Sequence, residues 1–287
     1  MIQAKVVADS ITAEGARITT MECTYPRFIH SEVMTHRVFS RNAMSSRAVP
    51  VAKMLEQVRN SPATPVHWGA NRPGMQAGEE LTGGSLEEAK FLWFRAAQQA
   101  AGIAEDMAKV GLHKQVANRV LEPFQLMRTL ITATEWDNFF ALRAHPAAAP
   151  EFQALAYAMQ DARNASAPVM RRFGEGQASW HLPYVTDEER RLLPLETLRM
   201  CSAARCARVS YLNHEKQNPS VVEDVDLFGQ LVVRPYVDRK GRTYSESDPL
   251  HASPIEHQAV PAALAVSSSR NFRGWLQFRE LYEEGRC

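Results

Sequence analysis

The sequence predicts an α+β fold, and three stretches carry that expectation. Residues 2–23 alternate apolar and polar side chains in two runs, Ala4–Ala8 and Ala16–Cys23, on either side of Glu14-Gly15. A period of two marks half-buried strands and the glycine supplies a turn, so the chain should open on a hairpin. Residues 85–110 carry Phe91, Trp93, Ala97 and Ala101 at helical spacing. This helix opens on Ser85-Leu86-Glu87-Glu88, a capping-box pattern, and stops at Gly111. After Pro150, Glu151–Met170 reads as a second long helix, rich in alanine.

The elements between are shorter. Tyr25-Pro26 marks a break, and Phe28–Met34 has the spacing of a short helix. Pro50–Asn60 reads as another. Residues 61–84 are rich in proline and glycine and form a long irregular loop, a kind of segment that is often functional. Trp68, Asn71 and Met75 there either shape a ligand pocket or belong to a surface excursion. Lys114–Leu121 is a further helix, stopped by Pro123. Leu126–Thr134 is apolar and β-branched, a strand or a buried helix, and Trp136–Arg143 is helical. In the second half Trp180–Tyr184 is a loop, and Asp187–Leu193 and Pro194–Val209 are helices. Asn213–Pro219 is a turn. Phe228–Pro249 is mixed and polar around a Lys240-Gly241 turn, and Val260–Glu283 gathers apolar and aromatic residues.

Composition bounds the function. The 287 residues are 45% hydrophobic and 23% charged, an ordinary globular balance with enough chain to bury a sizeable core. A net charge of +1 gives no global field for nucleic acid or membrane, so any anion site must be local. Cys23, Cys201, Cys206 and Cys287 form no Cys-x-x-Cys pair and no zinc pattern with the histidines, which suits reduced thiols in a cytoplasmic protein. Residues 1–18 hold no apolar run of signal-peptide type, and no stretch approaches a membrane span. Dinucleotide-fold, phosphate-loop and hydrolase-elbow motifs are absent.

The most informative stretch is Thr35–Arg47. It packs three arginines, a histidine, three serines and an asparagine into thirteen residues, with apolar residues following neither period for long. A core element is not expected from such a run. Guanidinium forks beside hydroxyl and amide groups suit a phosphate-bearing ligand. The spacing His36-Arg37-x-x-Ser40-x-Asn42-x-x-Ser45-x-Arg47 closely resembles the signature of the flavin-dependent thymidylate synthases (ThyX). Thr35 stands where that family has an arginine, and Ala43 where it has a glutamate.

Other segments extend the resemblance. Ala117-Asn118-Arg119 leads to Pro123, as in the family's Ala-Arg-x-x-x-Pro if one residue separates the alanine from the arginine. Asn138-Phe139 precedes Arg143 and then Glu151-Phe152-Gln153, with Ala149 in place of a glutamine. Ala204–Tyr211 resembles the family's Ala-Ala-Arg-Val-Ser-Tyr segment, and His251–His257 its His-x-Ser-Pro-Phe-Glu-His. Both of these normally precede the arginine-rich signature, and here both follow it. The chain therefore resembles a circularly permuted member, which is physically cheap when termini lie close together at the surface. Residues 1–287 would form one catalytic domain, in which 1–170 carry the signature and 200–287 the segments usually N-terminal.

The resemblance implies a central antiparallel sheet flanked by helices and a homotetramer with sites at subunit interfaces. It implies FAD as cofactor, NADPH and methylenetetrahydrofolate as co-substrates, and a uridine nucleotide, dUMP or UMP, as methyl acceptor. Polarising uracil so that C5 becomes nucleophilic builds negative charge on its carbonyl and N3, which a fixed cation stabilises; Arg143 is the candidate. Arg47 and Arg119 would hold the phosphate. Ser45 would sit beside the nucleotide as a hydrogen-bonding group, because a serine nucleophile needs an adjacent base and the sequence shows none. Glu32 and Ala43 complete the substrate-binding set. His36, Arg37, Asn42, Asn138, Ser210, Ser253 and His257 would contact FAD. Alanine at 43 should leave room for a ribose 2′-hydroxyl, as in the UMP/dUMP methylase branch of nucleoside-antibiotic biosynthesis. A flavin- or nucleotide-binding protein without methylase chemistry, or a uridylate hydroxymethylase, are the competing expectations.

Overall fold

The computed structural model describes residues 2–211, 220–263 and 268–286. Strands β1 (Gln3–Thr12) and β2 (Arg17–Pro26) form the expected hairpin. Gly15 takes φ +88° in its turn, where glycine meets no Cβ penalty. The break expected at Tyr25-Pro26 is instead the end of β2, since both residues pair with β4. A 3-10 turn over Arg27–Ile29 and a short α1 (His30–Val33) lead to β3 (Ser40–Ala43). Then come α2 (Val51–Asn60), α3 (Gly83–Lys109), α4 (Lys114–Ala117) and a 3-10 turn over Asn118–Phe124 that contains Pro123. Next are β4 (Leu126–Ala133), α5 (Asp137–Arg143), α6 (Pro150–Asn164) and β5 (Val169–Arg171).

These strands make one five-stranded sheet in the order β3-β4-β2-β1-β5. All pairings are antiparallel except β1 with β5, so the sheet is mixed. Two expectations are corrected here. The second long helix ends at Asn164, and Val169–Arg171 joins the sheet edge rather than continuing the helix. The signature does contain a core element, because β3 pairs with β4 from Ser40↔Thr132 to Ala43↔Thr129.

The sheet is covered on both faces, which explains why β4 lacks a period-two pattern. Met21, Cys23, Tyr25, Met127, Ile131 and Ala133 belong to an apolar core shared with residues of α2, α3, α5 and α6. Leu130, on the opposite face, packs with Cys206 and Val209 of the C-terminal half. A strand buried on both sides reads as a continuous apolar run.

The C-terminal half is built from α7 (Asp187–Leu192), α8 (Leu195–Arg208), α9 (Val221–Val232), the hairpin β6 (Tyr236–Val237)/β7 (Thr243–Tyr244), β8 (Ala259–Pro261), β9 (Ser268–Ser269), β10 (Phe272–Arg273), β11 (Trp275–Gln277) and α10 (Phe278–Glu283). Its own core joins Trp180, Leu198, Phe228, Ile255, Phe278 and Leu281. Helix α9 was not anticipated, although Ser220 and Glu223 form a reciprocal capping box at its start. The capping box expected at Ser85 is absent: α3 begins two residues earlier, and its N-cap, Thr82, makes no side-chain cap bond. The Asn213–Pro219 turn lies outside the described residues.

Candidate functional site

The signature passes along β3, and the groups on either side of that strand occupy different places. Before it, His36 is buried against Phe139, with ring centroids 4.9 Å apart and nearly perpendicular. Arg143, at the end of α5, donates from Nε to His36 Nε2 at 3.1 Å, stands 3.9 Å from Glu32, and lies over the Phe152 ring at 4.7 Å. Burial, followed by the Arg143 and Arg41 charges, pushes the His36 pKa below its ordinary value. A neutral imidazole that accepts at Nε2 carries its proton on Nδ1. The result is a guanidinium oriented by a neutral acceptor, with its remaining N–H groups toward a cleft.

That cleft has a volume of about 940 Å³ and is lined by Glu32 and Arg143, by the 146–151 segment and by residues 72–77 of the long loop. Glu151, a wall residue, is 8% exposed and accepts from the backbone N–H of Val66 at 2.9 Å. Of the loop residues singled out from sequence, Met75 lines the cleft, Trp68 packs edge-on against Trp93 and is not among the lining residues, and Asn71 is exposed outside it.

Beyond β3 the chain makes a tight turn. Ser45 Oγ accepts from the Arg47 N–H at 3.3 Å, and no base is in hydrogen-bond contact with it among the described residues. Arg47 is exposed. Arg119 is also exposed and pairs with Glu122 at 2.8 Å. Glu122, which sequence reasoning passed over, also binds Arg27 and Ser46, so it ties the turn to the Arg119 segment. Asn118 Nδ2 reinforces that tie by donating to the carbonyls of Ser46 and Val49. Glu122 thus links Arg119 to Ser46, the residue before Arg47, after β3, while Arg143 is grouped with His36 and Glu32, which precede that strand. Ala43 is half-buried with its methyl against the main core and does not line the cleft.

The C-terminal segments meet the signature directly. Asn42 Nδ2 donates to the Cys206 carbonyl at 2.7 Å, and Ser253 Oγ donates to Asn42 Oδ1 at 3.1 Å. Ser45 N–H donates to the Ser210 carbonyl at 3.3 Å. His257 is fully enclosed; its Nδ1 bonds Thr132 at 2.8 Å, and burial lowers its pKa to about 3. Through Thr132, Thr20 and His181 this contact continues to Ser10 as a buried hydrogen-bonded chain across the sheet.

The expected FAD set therefore divides. Arg37 and Asn138 are exposed next to the His36–Phe139 contact, and a guanidinium with an amide suits a pyrophosphate-bearing dinucleotide. Asn42 and Ser253 are engaged with each other, Ser210 offers its carbonyl to the signature turn, and the His257 ring does not reach the surface of this chain. Among the described residues no three ligating side chains gather for a metal ion, and no helix is long and apolar enough to cross a membrane.

Comparison with known proteins bears on the same stretch. Residues 11–169, more than half of the chain, match the family model described as thymidylate synthase complementing protein. No curated protein matches the sequence. Among solved structures, the UMP/dUMP methylase PolB from Streptomyces cacaoi, bound with 5-Br dUMP, is similar at 16% identity and a TM-score of 0.47, over 59% of this chain and 91% of that one.

Proposed function

Because the chain belongs to the thymidylate synthase complementing protein family, we propose that it is a flavin-dependent uridylate C5-methyltransferase. The acceptor is dUMP or UMP, the one-carbon donor methylenetetrahydrofolate, and NADPH the source of reducing equivalents. The observation that carries this reading is Arg143, a guanidinium oriented by a neutral histidine in a wall of a nucleotide-sized cleft.

Residue roles follow from that geometry. Arg143 stands where negative charge on the uracil carbonyl and N3 needs a fixed donor, and a preoriented donor is worth most as that charge develops. His36 positions it without adding a second cation. Arg47 and Arg119 hold the phosphate, and Ser45 borders the nucleotide. Arg37 and Asn138 hold FAD, which when bound and reduced supplies the hydride that completes the methyl group. Arg143 and the Arg47 and Arg119 segments flank opposite ends of the four-residue β3, and the expected homotetramer, with sites at subunit interfaces, belongs to this proposal. Ala43 does not line the cleft, so the reading covers dUMP and UMP alike.

The permuted order belongs to this proposal as well. The contacts of Cys206, Ser210 and Ser253 with the signature support it, because the displaced segments dock on the strand they would precede in the usual order. The test is release of tritium from C5-labelled dUMP or UMP by the flavin-loaded protein with methylenetetrahydrofolate. Folate-dependent release is expected, and its absence with both nucleotides would overturn the reading.

A further inference from the structure

The loop over residues 61–84 has no counterpart in the family resemblance, yet it is built as a defined element. Its stem is a narrow two-stranded crossing in which Ala70 N–H donates to Glu79 O at 2.8 Å and Leu81 N–H to Trp68 O at 2.8 Å. The crossing is so close that a Cβ on Gly69 would lie 2.4 Å from Ala77 Cβ and 2.6 Å from His67 Nε2. Only glycine fits there without displacing the stem. The base is fixed by the buried Glu151 carboxylate to Val66, and by the Trp93 indole N–H, which donates to the Ala63 carbonyl at 2.9 Å.

The tip, residues 72–77, is held out from this base. Gly74 turns at φ +106°, and Arg72 Nε closes the turn on the Gln76 carbonyl at 2.9 Å. Met75 is fully exposed, although it lines the cleft that contains Arg143. A preformed tip on an anchored stem, with its apolar residue uncovered over a cleft, has the construction of a ligand-binding wall.

The cleft's size and the tip's chemistry point to its ligand. A volume of about 940 Å³ is near the upper end of the roughly 300–1,000 Å³ of small-molecule sites. A nucleoside monophosphate at Arg143 leaves space for a second ring system. Met75 offers a thioether, which suits a planar aromatic group, and Pro73 an apolar pyrrolidine ring beside it. Arg72 donates from Nε and Nη2 to Gln76 and keeps its Nη1 edge of the guanidinium for a carboxylate. We infer that the Arg72–Ala77 tip binds the reduced folate co-substrate, its aromatic rings against Met75 and Pro73 and its glutamyl carboxylate on Arg72. This inference rests on the uridylate-methyltransferase reading.

The test uses the full-length, flavin-loaded protein. Tetrahydrofolate binding is titrated for the native chain, Arg72→Ala, Arg72→Lys and Met75→Ala, with dUMP binding and the flavin spectrum recorded in parallel. All three substitutions are at exposed positions, so the overall fold should survive, and Met75→Ala also keeps the Arg72–Gln76 closure of the tip, which separates ligand contact from tip shape. Arg72→Ala should weaken tetrahydrofolate by about tenfold or more, as expected for loss of one charge-assisted bond, and Met75→Ala by roughly two- to tenfold, as expected for loss of one ring contact. Arg72→Lys should recover part of the affinity, while dUMP affinity and the flavin spectrum stay unchanged. Unchanged tetrahydrofolate affinity in both alanine variants overturns the inference. So does a native protein that binds dUMP and flavin but no tetrahydrofolate, or a loss that falls equally on dUMP. If the native protein binds neither flavin nor nucleotide, the methyltransferase reading fails first and this inference with it.

Discussion

Arg143 and His36 are joined by one hydrogen bond, Nε–H to Nε2 at 3.1 Å, in which the imidazole is the acceptor. The bond uses the inner edge of the guanidinium and leaves its outer fork to the cleft. It also requires that His36 be neutral, which burial and the neighbouring Arg143 and Arg41 charges favour.

Arg143→Lys should therefore keep a charge but lose both the planar fork and the Nε–H to His36. Turnover should fall by the equivalent of roughly 2–4 kcal/mol of transition-state stabilisation, by analogy with the loss of one oxyanion donor. Circular dichroism should show an intact fold, and unchanged turnover would make Arg143 a structural residue.

His36→Phe keeps the ring packing against Phe139 and Phe39 but removes the acceptor. As a positioning residue, His36 should affect kcat more than the KM for nucleotide. A rise in nucleotide KM at constant kcat would place it instead in ground-state binding.

Stability should fall on mild acidification. His181 and His257 are fully buried, and their pKa values lie below the ordinary value, that of His257 at about 3. The unfolded chain takes up protons near pH 6.5 where the folded chain does not, so stability is greatest above that pH and declines below it. Each such histidine contributes about 1.4 kcal/mol of loss per pH unit once the unfolded form is protonated. Urea midpoints at pH 7 and pH 5.5 should show the decline, and His257→Gln should reduce it by roughly half while the His181 contribution remains.

Much of the first 164 residues was legible because local signals agree with tertiary placement there. The hairpin has period two, and α3 ends on Gly111 with φ +85°. The signature strand was not legible: β3 presents Ser40 and Asn42 to the C-terminal half, and polar residues buried by long-range partners look like loop in sequence. The residues of α6 continue in helical composition past Asn164, but pairing of Val169 with Ser10 draws them into the sheet. At the site, spacing identified Arg143 and His36 but not that they bond to each other. Glu122 drew no attention because a helix-surface glutamate carries no local mark of its three partners.

The C-terminal half offers a stability test separate from the site. Asp224 is fully buried and pairs with both Arg205 and Arg208, while Arg205 also binds Glu189. Asp224→Ala leaves two guanidinium groups without their shared partner, and breaking a buried pair in this way typically destabilises by about 3–5 kcal/mol. A loss below about 1 kcal/mol in chemical denaturation would show that water reaches this network.

The most direct measurement of the central claim is the mass of the nucleotide product. The flavin-loaded protein is incubated with NADPH, methylenetetrahydrofolate and either dUMP or UMP, and the recovered nucleotide is analysed by mass spectrometry. The account predicts a C5-methylated nucleotide from at least one of the two, lost in Arg143→Lys. Nucleotide recovered unchanged from a protein that binds it, or recovered as the hydroxymethyl derivative, would contradict it.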